Sequence, residues 1–467
     1  MSAASSEHAI ADHLATIRGL TVTRDPVARS VAARDFGGLT TGDVLAIARP
    51  ADADALAALV AAARRDGFRL TPRTLGYSQS GQSVPRGGVS VDMTGFTGVS
   101  VDVDAGIARC GSGATWRQLL AATYAHGLAP RVMPLNLDLS IGGTLSAGGA
   151  GSTSHAHGLA ISSVESVEVV TGAGERVTAG PSLRTDVYDA VLGGAGRFGF
   201  ICGASLRLRP AAPFTRTYYL LYDDLATLLA DEHAMMSQPW CTHLEGFASA
   251  AIQGIRRGAG GRRGPFARWF FGMHISTEYA AQAPPDDGAC LRGLHFRERL
   301  HVEDNPSDEY AARYDMRFAM MRATGAWGQV HPWLECTIPA AVAPTLLPEI
   351  IDTVPLLLGD GHRIMPIADV PRPALFMAPN PGIAFGVMPP GVPPAFEAPA
   401  VAGLRAVHER LIGAGGKRYL SGWLFEPDEA AWRRHFGDRY DAWQRSKQRL
   451  DPDGILESVL FTAPPPG

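Results

Sequence analysis

The first periodic stretch of the chain predicts a strand, a helix and a second strand. Residues 44–50 (VLAIARP) form a short apolar run typical of a buried strand, and residues 68–73 (FRLTPR) form another. Between them, Asp52 and Asp54 are candidate N-caps and Gly67 is a candidate helix stop. The apolar positions of the helix recur so that they share one face: Leu56, Leu59, Val60 and Ala63.

Patterns further along the chain predict more strands. Residues 164–170 and 175–178 alternate on either side of a glycine turn, which predicts a β-hairpin. Residues 200–209 also alternate as a strand. The G-x-G-x-x-G spelling at residues 194–199 therefore lacks the helix that a dinucleotide fingerprint requires. Residues 253–265, rich in Gly and Arg, are predicted to be a flexible loop.

A glycine-rich segment, residues 76–83 (GYSQSGQS), follows the second strand. Its glycines and small hydroxyls let successive backbone N–H groups approach an anion without a Cβ in the way, so we interpret it as a phosphate cradle. Two alternatives are an ordinary exposed turn and a nucleophile elbow with Ser78 as nucleophile. The elbow motif is one position short of its last glycine and lacks a strand-elbow-helix context.

Composition narrows the class of protein. A chain of 467 residues with 46% hydrophobic and 19% charged residues can bury a large core and is expected to form two domains. A net charge of −4 without a basic run indicates no nucleic-acid or membrane-surface partner, and no apolar run has membrane-spanning length. Five scattered cysteines and the lack of a leader pattern at the start predict a reduced, cytoplasmic protein without a metal site.

An ordered set of motifs resembles the cytokinin dehydrogenases, FAD-linked oxidases of the vanillyl-alcohol oxidase type. The resemblance extends from about residue 38 to about residue 456 and is weakest between about 250 and 325. The motifs that carry it are ARP (48–50), GYSQSGQ (76–82), VDM (91–93), GLAPR (127–131), IGGTLS (141–146), HG (157–158), VVTG (169–172), GGAGRFG (193–199), HPWL (331–334), WRRHFG (432–437), Lys447 and DP (451–452).

This resemblance implies an α+β fold: a two-lobed PCMH-type FAD-binding domain with an inserted α+β substrate domain that contains an antiparallel sheet. The boundaries expected from it, with PAAP (210–213) as a linker, are an N-terminal capping segment (1–37), the FAD-binding domain (38–211), the substrate domain (212–419) and a C-terminal return to the FAD domain (420–467). The residues it assigns to FAD are Gly76, Tyr77, Ser78, Gln79, Ser80, Gly81, Gln82, Ser140, Gly143, Ser146, Ala150 and Ile201.

The chain departs from the family at the flavin anchors. Tyr77 stands where the family has a histidine that carries the flavin, and Asn136 stands near the cysteine of a second group of relatives. The resemblance therefore implies noncovalent FAD, with the ring of Tyr77 packed against the dimethylbenzene edge of the flavin. A tyrosyl linkage at Tyr77 is the alternative.

The chain also departs from the family at the catalytic base. Leu135 replaces the family's aspartate and cannot accept a proton, and Asp138 points to the opposite side of an extended segment. Trp333 and Glu335 match two positions that line the substrate cavity, and on a strand they face the same way. A carboxylate desolvated beside an aromatic wall has a raised pKa, so we predict Glu335 as the general base.

Other interpretations of these positions stay open. Glu335 could instead be compensated by Arg313 or Arg317, or face solvent. Tyr419 matches a position at the flavin pocket, where its hydroxyl would orient cofactor or substrate, and Glu245 is interpreted as structural. The predicted substrate-binding residues are Leu135, Trp333 and Glu335. The predicted catalytic residues are Glu335 and Tyr419.

The function implied is an FAD-dependent oxidase or dehydrogenase that takes a hydride from a C–N or C–O carbon of a small organic substrate other than a cytokinin. Oxygen or another carrier would accept the electrons, and the oligomeric state stays open. Two alternatives are a degenerate flavin-fold protein that binds a ligand without turnover and a serine hydrolase that uses Ser78.

Overall fold

A computed structural model of the protein describes residues 10–257, 261, 263–359 and 361–461. Its strands are β1 (Leu20–Thr23), β2 (Asp43–Pro50), β3 (Leu70–Arg73), β4 (Arg86–Asp92), β5 (Val99–Asp102), β6 (Ile107–Gly111), β7 (Leu128–Pro130), β8 (Val164–Thr171), β9 (Arg176–Ala179), β10 (Gly199–Pro210), β11 (Phe214–Tyr222), β12 (His243–Arg257), β13 (Arg263–Tyr279), β14 (Glu298–Pro306), β15 (Leu334–Pro339), β16 (His362–Ile367), β17 (Gly382–Val387) and β18 (Lys417–Arg418). Its α-helices are α1 (Pro26–Ala32), α2 (Ala53–Asp66), α3 (Trp116–Tyr124), α4 (Ile141–Ala147), α5 (Ser154–His157), α6 (Thr185–Val191), α7 (Leu225–Met235), α8 (Asp287–Cys290), α9 (Ser307–Ala311), α10 (Asp315–Ala323), α11 (Ala343–Ile351), α12 (Glu397–Gly413), α13 (Glu429–Phe436) and α14 (Tyr440–Leu450).

The first sheet has the order β1-β2-β4-β3, and its β2–β4 and β3–β4 pairs are parallel. Helix α2 packs on this sheet, and the apolar face of the helix shares a buried core with residues of the strands. Asp52 caps the helix by accepting from the Ala55 N–H at 2.8 Å, and Gly67 ends it at a φ of 74°. The predicted strand-helix-strand unit is confirmed. Strand β1 comes from the predicted capping segment, so that segment also contributes a strand.

The second sheet has the order β5-β6-β10-β8-β9, with β7 paired to β10, and all its pairs are antiparallel. The hairpin of β8 and β9, in which Val169 lies opposite Val177, confirms the predicted hairpin. Strand β10 begins at Gly199. The glycine-rich segment before it therefore opens a strand rather than a helix, as predicted.

The third sheet contains eight antiparallel strands in the order β14-β11-β13-β12-β16-β17-β15-β18. Helices α7, α11 and α12 cover one face, where Leu228, Leu347 and Leu404 share a core with Ile338 and Ile364. The opposite face is turned toward the first two sheets. This mixed architecture, with an antiparallel second unit, confirms the predicted α+β fold class.

The prediction of a flexible loop at residues 253–265 is wrong at both ends of that range. Residues 253–257 belong to β12 and residues 263–265 to β13, and the register of the two strands runs from His243 opposite Ser276 to Arg257 opposite Arg263. Backbone pairing that starts in the buried part of the sheet therefore extends through a composition that locally favours a loop. Residues 258–260 and 262 lie outside the described residues.

The end of the described chain packs back on the first two sheets. Leu70 of β3 exchanges hydrogen bonds with Ile455 and Glu457, at 2.8 and 3.1 Å. Aromatic residues of α13 and α14, Trp432 and Trp443 among them, join the core of the second sheet. The domain boundary near residue 420 stays a prediction. No helix among the described residues has both the length and the apolar character needed to cross a membrane.

Candidate functional site

A long cavity lies between the third sheet and the first two sheets. Its walls come from β3 and the loop after it, from the segment around α4, from the start of β10, and from β15 and β16. The predicted site residues that line it are Gly76, Tyr77, Ser78, Gln79, Gln82, Leu135, Ser140, Gly143, Ser146, Ala150, Ile201, Trp333, Glu335 and Tyr419. The structure therefore gathers nearly all of them in one place.

The loop at residues 76–83 is held by a residue that the sequence did not reveal, the buried Asp35. Its carboxylate accepts from the Gly81 N–H at 2.7 Å and from the Ser78 hydroxyl at 3.0 Å. Burial raises the pKa of Asp35 to about 6, although these hydrogen bonds oppose the rise. No local motif marks this residue, because it lies some forty positions upstream of its partners.

The prediction that successive N–H groups of the loop face an anion needs correction at three positions. The side-chain oxygen of Gln82 accepts from the N–H groups of Gln79 and Ser80, at 3.2 and 2.7 Å, and Asp35 takes that of Gly81. Neither Ser80 nor Gly81 lines the cavity. The chain satisfies these donors itself because a buried N–H without an acceptor is costly.

Ser80 and Gln82 tie the loop to the C-terminal segment. The Ser80 hydroxyl donates to the Gly422 carbonyl at 3.1 Å and accepts from the Leu424 N–H at 2.8 Å. The side-chain amide of Gln82 donates to the Leu420 carbonyl at 2.6 Å. These two residues therefore fix the loop against the C-terminal segment.

The surroundings of Ser78 are not those of an activated nucleophile. Its hydroxyl donates to Asp35 and lies 2.8 Å from the Ser83 hydroxyl. Within the described residues, none of its hydrogen-bond partners is a histidine. The arrangement is that of a braced loop, and nothing in it favours the serine-hydrolase alternative.

The cavity fits the FAD that the resemblance implies. The N–H groups of Gly76, Tyr77 and Ser78 donate no hydrogen bond to any described residue, so they are available to a ligand. The Gln79 side-chain oxygen and the Ser112 hydroxyl line the cavity, are buried, and have no partner in the described part of the chain. Polar atoms buried in this way indicate a polar ligand.

The residues around α4 complete this wall. The Ser140 hydroxyl caps the helix by accepting from the Gly143 N–H at 3.3 Å and lies 2.6 Å from the Thr74 hydroxyl. Ser146 donates to the Gly142 carbonyl at 2.8 Å. Small residues and satisfied hydroxyls therefore bring this backbone up to the cavity.

An aromatic wall closes the other half of the cavity. Phe36 contacts Tyr77, Trp327 and Trp333, with ring centroids 5.9, 5.0 and 5.2 Å apart. Tyr77 and Trp327 meet edge to face at 5.8 Å. Trp333 was predicted for this wall. Phe36 and Trp327 were not, because they come from distant segments without a local signal.

Glu335, on β15, lies in this half of the cavity together with Trp333, which comes just before the strand. Its carboxylate accepts from the Ser421 hydroxyl at 2.9 Å. Burial raises the pKa of Glu335 to about 7, and Ser421 and Arg363 only partly offset that rise. The carboxyl group therefore changes its protonation state near neutral pH, which suits a general base.

Arg313 does not compensate Glu335. It donates to Glu245 at 2.6 Å, and Arg363 donates to the other oxygen of Glu245 at 2.8 Å. Tyr314 adds a hydrogen bond at 3.0 Å. Charge from Arg313 and Arg363 outweighs burial and lowers the pKa of Glu245 to about 2, as expected of a structural ion-pair network.

Leu135 and Asn136 line the cavity, whereas Asp138 lies outside it. Asp138 accepts from Arg117 at 2.8 Å on the surface side. The extended segment thus turns an apolar side chain toward the site and the carboxylate away from it, as predicted.

Tyr419 has a positioning contact. Its hydroxyl accepts from the Gly149 N–H at 2.5 Å, and burial raises its pKa. Gly148, at a φ of 128°, allows the ring to approach, since a Cβ there would lie 3.0 Å from the ring. The hydroxyl therefore holds the turn after α4, next to the cavity.

In the described part of the chain, no group of three or more His, Cys, Asp or Glu side chains is arranged to hold a metal ion. The five cysteines are free and buried.

The known proteins that this chain is similar to are oxidoreductases, and part of the chain matches an FAD-binding family. A family model described as "FAD binding domain" matches residues 44–180. The chain is 31% identical over 440 residues to the "uncharacterized oxidoreductase ORF5 in fasciation locus" of Rhodococcoides fascians, covering 92% of this chain and 96% of that protein. It is 30% identical over 489 residues to cytokinin dehydrogenase 1 of Oryza sativa subsp. japonica, covering 92% and 89% of the two chains. Cytokinin dehydrogenase 3 of the same plant is 28% identical, over 91% and 88%.

Proposed function

Because the chain belongs to the family of FAD-dependent oxidoreductases that includes the cytokinin dehydrogenases, we propose that it oxidises a C–N or C–O bond of a small organic substrate with Glu335 as general base. The oxidoreductase class and the FAD cofactor follow from the family. The proposed reaction and the role of Glu335 rest on one observation. Glu335 lies in the same cavity as the loop at residues 76–83 and beside an aromatic wall.

FAD would be held by the N–H groups of Gly76–Ser78, by the polar atoms of Gln79 and Ser112, and by the backbone around α4. When bound, FAD supplies the two-electron chemistry, since its oxidised ring accepts a hydride from the substrate carbon. Tyr419 holds the turn after α4. Asp35 braces the loop from behind.

Glu335 takes the proton from the substrate N–H or O–H, which leaves an imine or a carbonyl as product. Ser421 orients its carboxylate, and Arg363 favours the ionised form that accepts the proton. The rings of Phe36, Trp327 and Trp333 exclude water and position the apolar part of the substrate. Leu135 adds an apolar contact where the family has an acid.

The proposal is tested by the visible spectrum of the purified protein, followed by anaerobic exposure to a panel of amines and alcohols. A flavin spectrum that bleaches with at least one compound is the expected result. A colourless protein would exclude the redox function. A flavin that never bleaches would favour a binding protein without turnover.

We predict that FAD is noncovalent. No histidine or cysteine is among the described residues that line the cavity, so the usual flavin anchors are missing. Burial raises the pKa of Tyr77, which keeps its phenol protonated and weakly nucleophilic. Acid precipitation should release the yellow colour into the supernatant. Flavin fluorescence that stays with the denatured protein band would point to a bond at Tyr77.

We also predict that adenine-type cytokinins are poor substrates. Leu135 presents an apolar side chain where the family's aspartate would meet the substrate amine. Anaerobic mixing with isopentenyladenine should therefore reduce the flavin slowly or not at all. Rapid bleaching by this compound would show that Glu335 or another group fully replaces the aspartate.

A further inference from the structure

Four residues stand side by side across β12, β16, β17 and β15: Phe247 opposite Arg363, Arg363 opposite Gly386, and Gly386 opposite Glu335. Residues opposed in neighbouring strands project from the same face of a sheet. Both Arg363 and Glu335 line the cavity. Two strand spacings, roughly 10 Å, separate their backbones.

No side chain of β17 stands between the guanidinium and the carboxylate, because residue 386 is glycine. A Cβ at Gly386 would lie 3.2 Å from the terminal methyl carbon of Met388, which also lines the cavity. The space between Arg363 and Glu335 is therefore bordered by the flexible end of a methionine. Methionine adapts its shape to a neighbour more easily than other apolar side chains.

The positive and negative charges around Arg363 do not balance when Glu335 is neutral. The single carboxylate of Glu245 forms ion pairs with two guanidinium groups, those of Arg313 and Arg363. Arg363 is nearly buried, with 9% of its side chain exposed, so its charge has little help from water. A buried charge is unfavourable unless a counter-charge pairs with it.

Turnover makes this imbalance unavoidable. Once Glu335 has accepted a proton from the substrate, Arg363 shares Glu245 with Arg313 and has no second carboxylate within the row. An anionic group on the substrate would supply the missing charge once the proton has been transferred. Arginine suits that task because its planar fork binds a carboxylate through two parallel hydrogen bonds.

We propose that the substrate of this oxidoreductase is an organic acid whose carboxylate binds Arg363 and whose oxidisable C–N or C–O carbon lies toward Glu335. This inference rests on the proposed function. The apolar body of the acid would contact Trp327, Trp333 and Leu135. Amino acids and hydroxy acids with an aromatic or aliphatic body are the compounds of this class.

The test measures binding and does not require turnover. Purified holoenzyme is titrated with phenylacetate and 3-phenylpropionate and with their uncharged amides, by the change in flavin absorbance and by calorimetry. We expect each acid to bind at least about tenfold more tightly than its amide, in line with a charge-assisted hydrogen bond. Equal affinities of acid and amide would overturn the proposal.

Variants assign the site through the acid-to-amide affinity ratio within each protein, which a general loss of stability does not change. Arg363→Met should bring the ratio to about one, and Arg363→Lys should lower it partly. Arg313→Met, which also removes a partner of Glu245, should lower the ratio less than Arg363→Met, because it leaves Glu245 to Arg363 but keeps the guanidinium group at the cavity. Glu335→Gln should keep or raise the ratio, because it removes a negative charge from the row.

Two outcomes contradict the assignment to Arg363. One is a ratio that survives Arg363→Met. The other is a ratio that is lost in Arg317→Met instead, which would place the carboxylate at a different arginine of the cavity wall. A flavin that bleaches with neutral amines but shows no preference for acids would overturn this inference alone. Acid binding without bleaching by any compound would overturn the proposed function alone.

Discussion

Replacing Glu335 with Gln should slow the reductive half-reaction by roughly a hundredfold or more while FAD stays bound. Glutamine keeps the shape of the side chain but cannot accept the substrate proton. The measurement is stopped-flow reduction of the flavin under anaerobic conditions, with a substrate found in the panel. Flavin content per protein is measured in parallel to show that the cofactor site is intact.

The pH dependence gives the sign of the effect. The pKa of Glu335 is raised to about 7, so the carboxyl group is protonated below that pH and cannot act as a base. The wild-type rate should therefore rise as the pH increases through 7, and Glu335→Gln should lose this limb. Glu349→Gln is the matched control, because Glu349 lies on α11, is exposed and pairs with Arg410, so this variant makes the same chemical change away from the cavity. A wild-type rate in Glu335→Gln would point to Tyr419 or to a substrate that loses its proton unaided.

Replacing Gly81 with Val should remove most of the FAD and destabilise the protein by roughly 2–5 kcal/mol. Gly81 has a φ of 78°, which a β-branched residue rarely adopts, and a Cβ there would lie 2.7 Å from the Cβ of Val459. The loop would have to move, and its N–H bond to Asp35 would break. The measurements are the flavin absorbance per protein and the thermal unfolding temperature.

Gly87→Val separates the two causes. Gly87 also has a left-handed φ, of 67°, but a Cβ there would meet nothing within 4 Å. This variant should lose about 1–2 kcal/mol and keep its FAD. Full flavin occupancy in Gly81→Val would mean that the shape of the loop does not matter for the cofactor.

Local patterns were sufficient for several elements of the first two sheets. The spacing of Leu56, Leu59 and Val60, the cap at Asp52 and the stop at Gly67 each act over a few residues, so they predicted helix α2 and its ends. The alternation of residues 164–170 likewise predicted a hairpin. The motif order pointed to the family, and the substitutions at Tyr77 and Leu135 identified where this chain differs from it.

Long-range packing decided what these patterns could not. Residues 253–257 and 263–265 are strand because the pairing that starts in the buried part of β12 and β13 continues into them and outweighs their composition. Asp35 takes the N–H of Gly81 because the fold brings together two segments 46 positions apart, and a buried donor needs an acceptor. The raised pKa of Glu335 and the row that joins it to Arg363 depend on which strands become neighbours. The sequence alone determined the chemistry available to this protein, whereas the tertiary structure decided which groups face one another and how much water they keep, because burial and neighbouring charge set the properties of an ionisable group.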